Sequence, residues 1–263
     1  MIWQTSRLLL GISPSFHLLG FVFFATICSY NFHWYLTPRS ASPSRRVHWT
    51  HHHRTLHIVL YGIGAIGSII YFFYLTHYIL ALGFAALLTF LYSAPKLPQP
   101  VFHWLRRIAI GKTFFLTFVW VYVTAVLPVI VAGTSRTSRT LWQNSFYWYI
   151  ASRFFLIYAC CLIFDYGDRE DDRAEGIVSM VTVLSKRNFD RLFIISMVLF
   201  AFNSIALSWY HYPALYIILL LIPGAILAAL YPETKRNYSD YLYYVVLDGI
   251  VMLSGLLMLI FKI

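Results

Sequence analysis

Long apolar segments dominate this chain and constrain its fold more than any other feature. Of the 263 residues, 60% are hydrophobic and only 11% are charged, whereas a soluble domain is typically about 25% charged. A helix needs about 20 apolar residues to cross the hydrocarbon core of a bilayer. The hydropathy pattern predicts eight such helices, at about 17–35, 56–74, 78–92, 114–131, 146–164, 192–209, 214–230 and 241–261. We therefore expect an all-α fold, a polytopic transmembrane helix bundle of about eight spans.

The positions of the basic residues agree with this topology. The chain has 20 Lys and Arg against 10 Asp and Glu, and cytoplasmic loops of membrane proteins are enriched in Lys and Arg. With eight spans, most of the basic residues fall in alternate loops on one side. We predict that these loops are cytoplasmic, that both termini lie on the other side, and that the basic charge contacts a membrane, not nucleic acid. A bacterial inner membrane is the expected location.

An acidic cluster follows the fifth predicted span. Six of the ten carboxylates lie between Asp165 and Glu175. If the helix continues, Asp165, Asp168 and Asp172 lie within about 60° of one another on one face. Such carboxylates repel unless a cation neutralises them, and Mg²⁺ prefers oxygen ligands together with substrate phosphates. The cluster therefore predicts a magnesium site; the alternative is a solvated helix end whose acids pair with nearby arginines.

The cluster resembles the second aspartate motif of UbiA-type intramembrane prenyltransferases, approximately D-x-x-D-x-x-x-D-R-x-x-G. The chain matches it at Asp165, Asp168, Asp172, Arg173 and Gly176, although the basic residue and the proline that usually follow are absent. The resemblance implies that the three aspartates are catalytic and bind Mg²⁺, and that Arg173 binds substrate. It also implies a polyprenyl diphosphate donor, a second small-molecule or lipid acceptor, and one UbiA-like transmembrane domain over residues 1–263, with a central cavity.

A second segment, Leu91-Tyr92-Ser93-Ala94-Pro95-Lys96, is similar to the Y-S-x-P segment that ends another helix of that family on the active-site side. The resemblance implies that Tyr92 and Lys96 bind substrate. A lysine facing the acidic cluster would contact the outer oxygens of a diphosphate. The alternative for the basic residues that follow is contact with lipid headgroups.

The first aspartate motif of the family, approximately N-D-x-x-D-x-x-x-D, is degenerate here. Asn31 matches, but Phe32, Tyr35 and Arg39 occupy the acidic positions. We expect Asn31 to orient a phosphate or a metal-bound water and Arg39 to neutralise part of the diphosphate charge. Two interpretations stay open: an enzyme with one metal site, which we favour, or a non-catalytic relative that binds isoprenoid lipids. The family usually has two helices before the end of this motif, and the chain is expected to have one fewer.

The histidines after the first span suggest a third, less favoured function. His48, His51 and His52 form an H-x-x-H-H pattern that also occurs in metal-dependent membrane oxidoreductases. Those enzymes need about eight converging imidazoles, and His33 and His103 are the only further histidines expected on this side beyond that loop. The alternative is a basic loop at the headgroups.

Two charged residues fall inside predicted spans. Arg153 lies in the fifth span and Asp248 in the eighth, and an isolated charge at that depth is costly unless it is paired or faces water. We predict that the two form a salt bridge between helices. The 22 Phe, 20 Tyr and 8 Trp also suit a dry cavity in which aromatic faces stabilise an allylic carbocation.

Overall fold

The structure is a computed structural model, and it describes residues 1–36, 49–50, 52–93, 111–133, 140–141, 143–169, 180–236, 239 and 241–261. The helices in chain order are α1 Ile2–Leu10, α2 Phe16–Tyr35, α3 Arg54–Phe73, α4 Thr76–Ser93, α5 Lys112–Val131, α6 Asn144–Gly167, α7 Lys186–Tyr210, α8 Ala214–Thr234 and α9 Asp248–Ile260. A short helical turn, Met180–Val183, precedes α7, and a π-helical segment, Leu242–Leu247, leads into α9. No strand occurs in the described ranges, so the all-α prediction is confirmed.

Each predicted span corresponds to a helix. Within the described residues, the six helices α3 to α8 are long and apolar enough to cross a membrane by length and composition, and a shorter apolar helix covers Val245–Ile260. Helix α2 has 20 residues but carries Asn31 and His33 in its last turns. The prediction of a polytopic helical bundle is therefore confirmed.

The chain forms two compact units. The small unit, Pro14–Ile108, contains α2, α3 and α4, and the large unit contains Met1–Ser13 together with Ala109–Ile263. The single UbiA-like domain over residues 1–263, and the central cavity, stay predictions.

In the small unit, glycine allows α2 and α3 to pack closely. A Cβ atom at Gly64 would lie 2.5 Å from the backbone nitrogen of Cys28, and one at Gly20 would lie 2.5 Å from the ring of Tyr71. Position 28 therefore faces 64 and position 20 faces 71, which makes the helices antiparallel. Close backbone contact through small residues is the usual way in which membrane helices associate. The same register brings the last turns of α2 to the first turns of α3.

In the large unit, α6 is the central helix. Its apolar residues surround the helix instead of forming one stripe, which is typical of a buried helix, and most of its side chains from Ser152 to Tyr166 are buried. The hydroxyl groups of Ser152 and Ser204 lie 2.7 Å apart and join α6 to α7. This burial fixes the end of α6 at which the acidic motif begins.

Helix α1 was not predicted from the sequence. Its nine residues extend only about 14 Å, too short to cross a bilayer. Gln4, Thr5 and Ser6 are buried, and the hydroxyl of Thr5 donates to the carbonyl oxygen of Thr124 at 2.8 Å. Because these residues are polar, averaging hydropathy along the sequence does not detect the helix. The chain therefore has a second helix before Asn31 that was not predicted, but α1 adds no membrane span there.

The predicted pairing of Arg153 with Asp248 is also wrong. Arg153 Nη1 instead donates to Ser254 Oγ at 3.0 Å, and the hydroxyl of Ser254 donates to Gln4 Oε1 at 3.2 Å. Asp248 lies six residues before Ser254, or about 9 Å along α9. The register of α9 thus presents a hydroxyl group to the guanidinium, and no ion pair joins the two described charges.

Candidate active site

Asp165 lies in the last turn of α6 and is held by α5. Its side chain is buried, with 8% of its surface exposed. Thr113, in the first turn of α5, is also buried, and its Oγ1 donates a hydrogen bond to Asp165 Oδ2. The hydrogen bond orients the carboxylate and stabilises it among apolar residues, where burial of a carboxylate without a partner would cost free energy.

Asp168 lies at the end of α6. The helix ends at Gly167, and Asp168 is its C-terminal cap, with φ −85° and ψ 4°. The backbone N–H of Asp168 donates to the carbonyl oxygen of Phe164 at 3.1 Å. Gly167 leaves room for the ring of Tyr243, which would lie 2.6 Å from a Cβ atom there. The first two aspartates of the motif thus lie at one helix end.

The remaining motif residues lie outside the described part of the chain. Asp172 and Arg173 belong to the segment 170–179, and Arg39 and Lys96 belong to 37–48 and 94–110. Because α6 ends at Gly167 and Asp168 is its cap, the expectation that one continuous helix carries all three aspartates is wrong. The roles of these four residues stay predictions.

A second polar cluster lies near this end of α6. Lys235 forms an ion pair with Asp190, and the hydroxyl of Tyr231 donates to Asp190 Oδ1 at 2.5 Å. The ammonium of Lys235 also lies 5.9 Å from the ring centroid of Tyr166, which is adjacent to Asp165 in the chain. These contacts join α6, α7 and α8 beside the motif.

In the small unit, Asn31 contacts His57. Asn31 Nδ2 donates to the carbonyl oxygen of Ile27 at 2.8 Å, and Asn31 Oδ1 lies 2.8 Å from His57 Nδ1. His57 is buried, with 7% of its surface exposed. The asparagine predicted from the first motif is therefore paired with a histidine for which no role was predicted.

Tyr92 lies beside His33. Their rings stack with centroids 5.2 Å apart and planes inclined by 18°, and His33 Nδ1 lies 3.4 Å from Ser93 Oγ. Tyr35, at an acidic position of the first motif, lies under the guanidinium of Arg54 at 4.4 Å. The side chain at the position predicted to correspond to a carboxylate of the motif is thus an aromatic ring under a cation.

Comparison with known proteins identifies the family. A sequence model of the UbiA prenyltransferase family matches residues 36–241, which is more than half of the chain. The chain belongs to the UbiA prenyltransferase family. The UbiA match includes Tyr92, Lys96 and the whole acidic motif, and it begins five residues after Asn31, so the assignment of Asn31 to the first motif stays a prediction. No curated protein and no solved structure matches the chain.

Because it belongs to this family, the chain is a protein of the membrane prenyltransferase type. UbiA proteins generally use Mg²⁺ held by aspartate-rich motifs. Asp165 and Asp168 supply the oxygen ligands that Mg²⁺ prefers, and the hydrogen bond from Thr113 is the kind of outer contact that orients a metal ligand. These residues therefore fit the ion. In the described ranges, no three or more His, Cys, Asp or Glu side chains are grouped so as to hold a metal, and the third motif aspartate lies outside those ranges.

The described histidines give the oxidoreductase hypothesis no support. His53 Nδ1 lies 2.9 Å from the carbonyl oxygen of Trp49, His57 is paired with Asn31, and His52 is exposed. His48, His51 and His103 lie outside the described residues.

Sequence reasoning missed two residues at these sites, Thr113 and His57. Thr113, Thr117 and Thr124 recur at helical spacing in an apolar helix. This stripe of polar residues could have identified Thr113 from the sequence. For His57, the signal was one histidine within the apolar helix α3, separate from the histidines of the preceding loop.

Proposed function

We propose that the chain is a Mg²⁺-dependent prenyltransferase that transfers a polyprenyl group from its diphosphate to a small-molecule or lipid acceptor. The observation that carries this proposal is the buried Asp165, oriented by Thr113 at the end of α6 and included in the UbiA match. A solvated helix cap, the alternative for this cluster, would leave the carboxylate exposed.

In this proposal, Asp165, Asp168 and Asp172 hold Mg²⁺, which neutralises part of the charge on the departing diphosphate. Arg39, Lys96 and Arg173 donate hydrogen bonds to phosphate oxygens. Asn31 and Tyr92 contribute to substrate binding.

Aromatic side chains next to Asp165 support a prenyl donor. Phe114 follows Thr113 in α5, and its ring lies 5.1 Å from that of Phe154 on α6. Phe154 stacks on Tyr158, with centroids 5.8 Å apart and planes inclined by 13°. Aromatic faces stabilise cations; Tyr158 is buried and Phe154 partly buried, whereas Phe114 is exposed, so the first two rings suit the allylic carbocation that forms when diphosphate leaves.

Diphosphate release tests the proposal. The purified chain in lipid nanodiscs is given farnesyl or geranylgeranyl diphosphate together with a panel of small-molecule and lipid acceptors, with and without Mg²⁺. We expect Mg²⁺-dependent release of diphosphate and a loss of about 100-fold or more in Asp165→Asn or Asp168→Asn, since a metal supplies several kcal/mol of charge stabilisation. Asp190→Asn is the matched control, because Asp190 is a carboxylate of the same unit that is paired with Lys235.

The non-catalytic interpretation has one observation in its favour, the aromatic residues Phe32 and Tyr35 at positions where the family has carboxylates. It predicts that geranylgeranyl diphosphate binds without release of diphosphate. If the chain neither binds prenyl diphosphates of any length nor releases diphosphate from them, the donor class is refuted. The orientation with the motif loops in the cytoplasm of a bacterium is part of the proposal and is tested by labelling cysteines introduced into those loops.

A further inference from the structure

Helix α7 has a packed face and an exposed face. Phe189, Phe193 and Phe200 are buried in the core of the large unit. The side chains on the opposite face are exposed and lie within about 80° of one another around the helix: Arg187, Arg191, Ile194, Val198, Phe202 and Ile205. Because α7 is long and apolar enough to cross a membrane, we expect the apolar part of this face to contact acyl chains.

The two arginines lie at the end of α7 that is next to the acidic motif. The ring of Phe189 lies 5.2 Å from the ring of Tyr166 in the last turn of α6. Arg191 follows Arg187 by about one helical turn, and Ile194 follows Arg191 by about another. Along this face, positive charge is therefore followed directly by apolar surface.

Within the described ranges, no carboxylate balances the charge of these arginines. Guanidinium groups four residues apart on a helix repel each other. The nearby carboxylate of Asp190 forms its ion pair with Lys235, and Arg191 Nη1 donates to the neutral Asn188 Oδ1 at 3.4 Å. The first turn of α7 contains no acidic residue. An anion that contacts both guanidinium groups would relieve the repulsion and accept several charge-assisted hydrogen bonds.

The arrangement of charge and apolar surface restricts that anion. A phosphate group matches guanidinium geometry, but a soluble phosphate would make no use of Ile194 and Val198. A second copy of the chain in the same membrane, related by a twofold axis, would bring like ends of α7 together and add two more positive charges. We infer that Arg187 and Arg191 bind the headgroup of an anionic phospholipid whose acyl chains lie along Ile194 and Val198.

The inference does not depend on catalysis, so its test measures lipid binding. The purified full chain in one detergent is titrated with dioleoyl phosphatidylglycerol or with dioleoyl phosphatidylcholine, which has the same tails and a headgroup without net charge. Native mass spectrometry measures the bound lipid, and thermal unfolding is followed in parallel. We expect phosphatidylglycerol to bind more tightly and to raise the unfolding temperature more, because a ligand of the folded state stabilises that state.

A basic residue near a membrane surface strengthens the binding of anionic lipid about fivefold. Arg187→Gln combined with Arg191→Gln should therefore weaken phosphatidylglycerol binding about 30-fold and leave phosphatidylcholine binding within about twofold. The combined lysine substitutions Arg187→Lys and Arg191→Lys keep both charges and should retain most of the binding. Each single glutamine variant should lose about fivefold and carries the test if the double variant does not fold.

Arg236→Gln is the matched control. Arg236 is an exposed arginine that follows α8 in the same unit, and the exposed carboxylate of Glu233 lies within the same turn. Its substitution removes the same charge away from the exposed face of α7. Phosphatidylglycerol binding should stay within about twofold of the parent chain.

Four results would overturn the inference. The glutamine variants bind phosphatidylglycerol like the parent chain, or phosphatidylcholine binds the parent chain equally well. Glycerol 3-phosphate displaces phosphatidylglycerol at equal concentration, so that the apolar face contributes nothing. Equimolar geranylgeranyl diphosphate displaces it, which would assign the arginines to the prenyl donor. The first three results leave the proposed function as it stands, and the fourth would support it.

Discussion

Thr113→Val tests whether the hydrogen bond to Asp165 matters for function. Valine keeps the shape of threonine but removes the hydroxyl that donates to Asp165 Oδ2. A hydrogen bond to a charged group contributes about 1.5–3 kcal/mol, and loss of an outer contact to a metal ligand typically costs 10- to 100-fold in metal affinity or activity. We therefore expect diphosphate release at fixed Mg²⁺ to fall about 10- to 100-fold, and the Mg²⁺ concentration for half-maximal release to rise.

Thr117→Val is the matched control for this prediction. Thr117 lies one turn further along α5, is equally buried, and donates to the carbonyl oxygen of Thr113 at 2.8 Å. Its substitution removes a buried hydroxyl and leaves the hydrogen bond to Asp165 intact, so release should stay within about twofold of the parent chain. Unchanged Mg²⁺ dependence in Thr113→Val, or an equal loss in both variants, would show that the contact is structural only.

Three further predictions concern stability, each measured as thermal unfolding of the purified chain in one detergent. Gly64→Ala should destabilise the small unit by about 1–3 kcal/mol, because the added Cβ meets a backbone nitrogen of α2, whereas Gly62→Ala, with nothing within 4 Å, should not. Arg153→Met should leave stability unchanged or raise it by up to about 4 kcal/mol, since an apolar residue of similar length removes a buried charge that no described carboxylate pairs with; marked destabilisation would mean that the hydrogen bond from Arg153 to Ser254 outweighs the cost of burying the charge. Asp190→Asn should cost at most about 1 kcal/mol, because its ion pair with Lys235 is partly exposed.

Hydropathy predicted the spans well because a membrane imposes a simple rule on long segments. Every predicted span has a helix, from α2 to α9, since backbone polar groups in lipid must be satisfied within the helix. The same rule does not apply to α1, whose Gln4 and Thr5 are buried against protein. Hydropathy alone does not indicate such packing.

The candidate site was predictable where one segment carries the chemistry. Asp165 and Asp168 lie three residues apart, so local spacing and the motif identified both. The partners Thr113 and His57 were not predictable in this way, because each acts on a residue far away in the sequence, and only the packing of α5 on α6, or of α2 on α3, brings them together. The wrong pairing of Arg153 has the same cause, since the residue that faces it depends on the rotation of α9.

The contacts of the small unit bear on how the chain works without the first aspartate motif. If that region bound a second metal ion, its side chains would have to present oxygens to a cation. Tyr35 instead lies under the guanidinium of Arg54, and Asn31 directs its only oxygen acceptor at His57 Nδ1. The guanidinium over the ring of Tyr35 repels a second cation at that position, and the histidine uses one of the two lone pairs of the Asn31 amide oxygen. Arg39, four residues after the end of α2, adds positive charge in the sequence at another predicted acidic position of the motif. A chain of this kind is therefore expected to require one Mg²⁺ per site and to show a hyperbolic, non-cooperative Mg²⁺ dependence; a sigmoidal dependence of the parent chain would contradict the single-metal argument.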